Sequence, residues 1–453
     1  MATVKRSITT AARRGTAVEA FEFPAIAAPL APSPEMADRL RGEAERLRTP
    51  LYVYDGARLD LDAEAIRRAF PDPWIRLFSL KANATPGVVA RIAGAGFGAN
   101  AVSRGELALA ARAGVPAQAS ALEGIGKSPR DLRAAVELAA AGTPLLWVSL
   151  ESADEAAALA DLAGRLLPSR RKLDVLVRVN PAVEPETHAG LAVGRSSSKF
   201  GVAPTELTSI IRKSGGARGP LRWRGLHVHV GSQLASVESW EQALTAVTST
   251  FSQHANGHLD AWDTLDVGGG IPAGLLGAPE PQDFARAAEQ AIASVPRRGR
   301  PKRLAIEPGR ALVAEAGWLV ARVLHVRKRP YKGTDIIRQI VIDAGMTELV
   351  RPALYGAEHP IAALTSLGRP TAEDPVAYEA IVDGPICEST DRFGEALLPS
   401  VERGDLVAVG LAGAYASSMF STYNGRVRPP EVLLEPDGGR TVLRPRGSLR
   451  SLP

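Results

Sequence analysis

The sequence of 453 residues contains one cysteine, Cys387, so no disulfide can form within the chain and a reducing, cytoplasmic setting is expected. Aromatic residues make up only 5%, too few for the stacking platforms of a single-strand nucleic-acid binder, and nucleic acid is not an expected partner. No apolar run approaches the roughly 20 residues that cross a bilayer, so no membrane partner is expected either. Residues 1–15, MATVKRSITTAARRG, are basic and acid-free but lack the apolar centre of a secretory signal; a disordered leader is favoured over a transit peptide. Histidines number only seven and no carboxylate cluster accompanies them in the sequence, which argues against a resident metal.

What is present is ordinary for a globular enzyme: 45% hydrophobic, 23% charged and long enough for two domains. The net charge of +5 is modest for this length and suits an anionic small substrate. The basic clusters SRRK (169–172) and PRRGRPKR (296–303) each precede an apolar run and read as solvated loops.

The chain has a rhythm. Residues 1–48 form an N-terminal extension with a Pro/Ala stretch, PAIAAPLAPSP, and a short helix at 36–47. TPLYVYD (49–55) alternates like a strand. From residue 56, helical segments alternate with eight strand candidates: WIRLFSLKA, FGANAV, AQASAL, LLWVSL, LDVLVRVN, WRGLHVHVG, TLDVGGG and RLAIEPG. Eight βα units predict an α/β fold, a (β/α)8 barrel over 56–315, with an open doubly wound sheet as the alternative. Beyond 315 the texture becomes β-rich, which predicts a C-terminal β-sandwich or barrel-like domain (316–453) that the early strand joins.

Barrel active sites lie where strands end at their C-terminal side. Those ends carry Lys81, Asn180, His227 and His229 with Ser232, then Gly268, Gly269 and Gly270, and finally Glu307, Gly309 and Arg310. Three glycines let a backbone approach an anion closely, although for the triplet alone a tight βα turn is the stronger reading. His227 and His229 share one side of a strand. They suit a metal pair, or one ring stacked on a flat ligand beside a structural partner. Glu307 is either a paired structural carboxylate or a partner for a protonated ring nitrogen. Lysine, phosphate-sized turn, flat ring and acid together describe a site for pyridoxal phosphate, with Lys81 as the amine that forms the Schiff base. EGIGKS (123–128) imitates a phosphate loop but has Ala121 where a glycine is required; Ser128, Pro129 and Asp131 read instead as a capped helix start.

The motifs SLKAN, NAVSRGEL, NPAVEPETH with SKFG, GLHVHVGSQ, DVGGG, EPGR, RPALYGAEH, GPICEST and AGAYASSMFSTYNGRVRPPEVLL, in this order, resemble the fold-type III pyridoxal-phosphate decarboxylases. The resemblance spans 49–434 and is strongest to the diaminopimelate decarboxylase branch. It implies that Lys81 carries the cofactor and that His229 stacks on its ring. Ser232 and the turn through Gly269 and Gly270 would hold phosphate, and Glu307 would pair with the ring nitrogen. Gly309, Arg310 and Tyr415 join the cofactor and substrate contacts; Arg310, Arg351 and Tyr355 would hold substrate carboxylate. It implies Cys387 as a proton donor and Glu388 as a reader of the distal amine, both supplied by a second subunit of a homodimer. For Cys387 the structural alternative is a buried small apolar residue. The implied reaction is conversion of meso-diaminopimelate to L-lysine and carbon dioxide. Departures from the family pattern, such as Ser79-Leu80 before the lysine and Glu358 before His359, leave another diamino acid, or a siderophore or antibiotic intermediate, as alternative substrates. An inactive regulatory homologue ranks lower, because lysine, cysteine and glycine turn are all present.

Overall fold

The computed structural model describes residues 25–26, 31–185, 187–255, 261–331, 335–371 and 377–452. The basic leader and part of the Pro/Ala stretch lie outside the described residues. Helix α1 (Pro34–Leu47) starts on Ser33, whose side chain accepts from Met36 N, with proline in its first turn. Strand β1 (Leu51–Asp55) follows, and Asp55 then caps α2 (Gly56–Ala69) by accepting from Ala57 N.

Eight parallel strands next close into a barrel: β2 (Ile75–Ser79), β3 (Gly98–Ala101), β4 (Ser120–Leu122), β5 (Trp147–Leu150), β6 (Leu173–Arg178), β7 (Leu221–His227), β8 (Thr264–Asp266) and β9 (Arg303–Ile306). Between and after them run α3 (Pro86–Gly94), α4 (Arg104–Arg112), α5 (Pro129–Ala140), α6 (Ala153–Leu166), α7 (Leu207–Lys213), α8 (Glu238–Ala255), α9 (Pro281–Ala293) and the short α10 (Arg310–Val313). All eight strand candidates of the sequence contribute, and the closed barrel replaces the doubly wound alternative. The decoy phosphate loop is the start of α5, where Ser128 and Asp131 form a reciprocal capping box.

Barrel strands are buried on both faces, which is why they read as apolar runs rather than as alternating ones. Period two still sorts the interior. Leu77, Ala121, Trp147, Leu176 and Ala305 form a buried apolar cluster. Two residues further along the same strands, or one step past their ends, stand Ser79, Glu123, Ser149, Arg178 and Glu307. Asn100, His227 and Asp266 come from the other three strands, and all eight are buried. The barrel therefore changes from an apolar plug to a polar belt towards its active mouth.

The β domain is a nine-stranded sheet. It contains β10 (Gly317–Tyr331), β11 (Asp335–Ile342), β12 (Ile361–Ala363), then after the small pair β13 (Thr365–Ser366) and β14 (Arg369–Pro370), β15 (Tyr378–Asp383), β16 (Arg392–Leu398), β17 (Leu406–Val409), β18 (Glu431–Leu434) and β19 (Arg440–Arg444). A short helix, α11 (Arg351–Tyr355), interrupts it. Strand β1 sits inside this sheet, antiparallel to β10 and parallel to β18, so the early strand does join the C-terminal fold. Strand β16, RFGEALL, was not among the expected strands; it pairs along one side only and alternates between exposed and buried, so it lacks an apolar run. The loop after Lys81 is tied to the β domain: Tyr415 N donates to Ala82 O at 2.8 Å, Asn83 Nδ2 to Gly413 O at 3.0 Å, and Thr85 Oγ1 to Glu431 Oε2 at 2.7 Å.

Candidate active site

A cavity of about 420 Å³ opens where the barrel mouth meets the β domain. Lys81, His229, Ser232, Gly270, Glu307, Gly309, Arg310, Arg351, Tyr355 and Tyr415 all line it. Residues that lie far apart in sequence thus converge on one space, as the strand-end argument requires.

Each is placed by a local cause. Lys81 follows β2 in a tight turn in which Ala82 N donates to Ser79 O. His229 lies two residues beyond β7 on the face of His227; its Nδ1 accepts from Gly269 N at 3.1 Å, so the hydrogen of the neutral ring sits on Nε2. Burial first, and Lys81 second, push its pKa well below the usual histidine range, so the ring is neutral. Gly268 and Gly270 adopt φ of +71° and +117°, conformations open to glycine. A Cβ on Gly269 would stand 2.5 Å from Glu307 O. Gly270 reaches the cavity, while Gly269 stands behind it with its N–H committed to His229.

Arg310 begins α10 and is buried, its guanidinium donating to Ser232 Oγ at 3.2 Å and lying 4.7 Å from the Tyr415 ring centre. Burial and then the charge of Arg351 lower its pKa to about 9. Arg351 begins α11 and is likewise lowered, chiefly by burial. Neither arginine has a carboxylate partner among the described residues. Two uncompensated buried cations make a site for anions.

Glu307 lies below them, buried and pushed up to about 8 by burial first and by Asp266 second. Around it the polar belt supplies residues that sequence reasoning missed: Glu123, Asp266, Arg178 and Glu151. Arg178 Nη1 pairs with Glu151 Oε1 at 2.9 Å, and Glu123 accepts from Trp147 Nε1 at 3.3 Å and Asn100 Nδ2 at 3.2 Å. Their signal was a charged residue at the end of an apolar strand, as in VLVRVN, ASALE and TLDV. Glu123, His227 and Glu307 bring three donor atoms within 4.8 Å of one another, but Arg178 and Lys81 both act on this cluster and oppose a cation.

Cys387 and Glu388 lie elsewhere. Cys387 is exposed rather than buried, in the turn after β15, and neither residue lines the cavity of its own chain. Glu388 Oε1 accepts from Tyr423 Oη at 2.7 Å. Among the described residues no helix is long and apolar enough to cross a membrane.

The arrangement fits pyridoxal phosphate on its own terms. An amine, a neutral flat ring, the last glycine of a turn with no room for side chains, a buried cation beside a serine, and an acid with an unpartnered buried oxygen all border one cavity. The family model for the pyridoxal binding domain of pyridoxal-dependent decarboxylases matches residues 57–314. A diaminopimelate decarboxylase of Deinococcus radiodurans is 37% identical over 87% of this chain and 92% of its own. One from Aquifex aeolicus is 34% identical over 90% and 91%. The crystal structure of diaminopimelate decarboxylase from Helicobacter pylori, complexed with L-lysine, superposes with a TM-score of 0.80 at 30% identity, covering 90% of this chain and 97% of that one. This chain belongs to the pyridoxal-dependent decarboxylase family, and its cofactor is pyridoxal phosphate.

Proposed function

We propose that this protein removes one carboxylate from meso-diaminopimelate, giving L-lysine and carbon dioxide. The observation that carries the reading is the pair of buried, uncompensated arginines, Arg310 and Arg351, on the same cavity as Lys81 and Glu307. The likeness to diaminopimelate decarboxylases over most of the chain supports the substrate.

In this reading Lys81 Nζ would hold the cofactor at the end of β2, beside the space for the substrate amine. His229 supports one face of the ring. Ser232 and the backbone at Gly270 would receive the phosphate, at the edge where Arg310 donates, while Gly269 fixes His229 behind them. Glu307, which holds its proton up to about pH 8 in the empty site, would pass that proton to the ring nitrogen and face it as a carboxylate. When bound, the cofactor supplies an electron sink for the pair released as the carboxylate leaves. Arg351, with Tyr355 beside it, orients the substrate carboxylate that is retained. Tyr415 backs both arginine head groups.

The proton that replaces the lost carboxylate comes from Cys387 Sγ of a second copy, with Glu388 of that copy reading the distal amine. The exposure of Cys387, off its own cavity, supports a homodimer with shared sites. An exposed thiol of this kind suits a reducing, cytoplasmic setting. The test is carbon dioxide and lysine formation from meso-diaminopimelate by purified protein with added cofactor, beside Lys81→Ala. Lysine that disappears in the control supports the reading. A protein that binds the cofactor and releases nothing sinks this substrate.

A further inference from the structure

Beneath the cavity lies a histidine that the proposed chemistry does not use, His227, set against Glu307, which it does use. His227 Nε2 and Glu307 Oε1 are buried and have no hydrogen-bond partner among the described residues. They face each other at 3.8 Å, and Glu123 Oε2 stands 3.7 Å from the same Nε2. On its other side, His227 Nδ1 lies 2.8 Å from Ser149 Oγ. With Glu307 as the carboxylate that faces the ring nitrogen, a hydrogen on Nε2 is favoured, since a bare nitrogen would meet that oxygen lone pair to lone pair. Ser149 therefore donates to Nδ1, and His227 is the Nε2–H tautomer.

The contacts of 3.7 and 3.8 Å exceed a hydrogen bond. Contacts of reacting groups are often long before ligands settle and tighten in the complex. Glu123 is itself fixed from two sides, by Trp147 and Asn100. We propose that His227 and Glu123 are positioning residues for Glu307: they hold its carboxyl group from the barrel interior, His227 through its Nε2–H, and so aim the group at the cofactor's ring nitrogen. The inference rests on the reading of Glu307 given above.

Charge supports the geometry. Burial pushes the Glu123 and Asp266 carboxyls well up as it does that of Glu307, so this belt does not carry three full negative charges. Burial, with Arg178 next, keeps His227 neutral. A neutral donor steadies a carboxylate without adding a third cation beside Arg178 and Lys81.

The test uses the full chain and three readouts: the cofactor dissociation constant, the pH midpoint of the bound cofactor's visible absorbance, and kcat against KM. His227→Leu and Glu123→Leu are each expected to weaken cofactor binding about tenfold, the loss of one hydrogen bond to a charged group. Both shift the pH midpoint and lower kcat, with KM for meso-diaminopimelate held within about twofold. His227→Gln and Glu123→Gln keep a donor near the original atom and are expected to recover most of the binding and the midpoint. Leucine variants with wild-type binding and midpoint would overturn the proposal, as would glutamine variants as impaired as the leucine pair. Should the leucine variants not fold, His227→Asn and Glu123→Asp, which withdraw the group, make the same comparison. Glu307→Gln separates the two readings. If it leaves binding and midpoint unchanged, the role of Glu307 fails; if it alone disturbs them, only the positioning role fails.

Discussion

Arg310 and Arg351 lie against one ring, that of Tyr415, with guanidinium carbons 4.7 and 5.6 Å from its centre. Two like charges are thus buried together, and burial lowers the pKa of each, with no acid among the described residues beside it to raise it again. Such a pair is strained until an anion arrives. Arg351→Met is expected to raise KM for meso-diaminopimelate about 100-fold, the loss of a charged hydrogen-bonded pair. The same change is expected to raise the thermal midpoint of the cofactor-free protein, because one buried charge is gone. Steady-state kinetics beside calorimetry check both; a fall in KM or in the midpoint contradicts the assignment.

Glu307 gives the cofactor-free protein a pH dependence. Its value rises from 4.5 to about 8, through burial first and Asp266 second, while Glu123 and Lys81 act the other way. The folded chain holds this proton more tightly than the unfolded chain. Its stabilising contribution is therefore complete below about 4.5 and is lost as the pH rises through about 8. Asp62, raised to about 7 mainly by burial, acts in the same direction. The thermal midpoint without cofactor is expected to fall between about pH 6 and about pH 9, and Glu307→Gln to make that fall shallower. An equal fall in the variant would place the titration elsewhere.

Much of this site was legible because barrels put strand ends together. Lys81, His229, Glu307 and Arg310 each follow a strand candidate, so the order of the chain alone predicted one mouth. The belt beneath was not legible. Leu77 and Ser79, or Leu176 and Arg178, differ only by two steps along one strand, and which step meets a polar neighbour depends on how neighbouring strands are staggered. Glu123 was hidden further, because it opens the stretch that imitates a phosphate loop. Arg351 and Tyr355 came from family resemblance, since no barrel rhythm points to a short helix within a sheet domain. A single chain also separates Cys387 from the cavity, and strand-end geometry within that chain gives it no place at the site.

The glycine turn has a backbone reason. Gly268 has φ of +71°, and a Cβ there would lie 2.3 Å from Val228 O. Gly268→Ala is expected to cost about 3 kcal/mol of stability from strain and clash together. It displaces Gly269 N–H from His229 Nδ1, so cofactor affinity falls as well. Denaturant unfolding and cofactor titration measure the two effects. A variant with wild-type stability would remove the steric argument.

Sharing of sites between copies makes a prediction that does not depend on the substrate. On the proposed reading, Lys81→Ala removes the cofactor amine and Cys387→Ala the proton donor. If each site draws one from each chain, mixing the two inactive proteins creates heterodimers with one intact site. Random exchange then restores roughly a quarter of wild-type activity. Mixtures that stay inactive after exchange, verified by mass of a tagged copy, would mean that Cys387 serves no neighbouring site.

The loop carrying Cys387 depends on one carboxylate. Asp391 is buried, and its two oxygens accept from Met346 N and Ile386 N at 2.6 Å each. Its backbone carbonyl accepts from Gly384 N at 2.9 Å, and a Cβ on Gly384 would strike the carboxylate at 2.3 Å. The turn of GPICEST is thus folded around the Asp391 side chain, one residue from the thiol at Ile386. Asp391→Ala leaves two backbone N–H groups without their partner, at about 1–3 kcal/mol for each that stays buried. Asp391→Asn keeps one oxygen and loses less. Because Asp391 touches no part of its own cavity, cofactor binding is expected to persist in both variants while kcat falls, more in Ala than in Asn. Loss of cofactor binding in step with kcat would show that the loop does more than carry the proton donor.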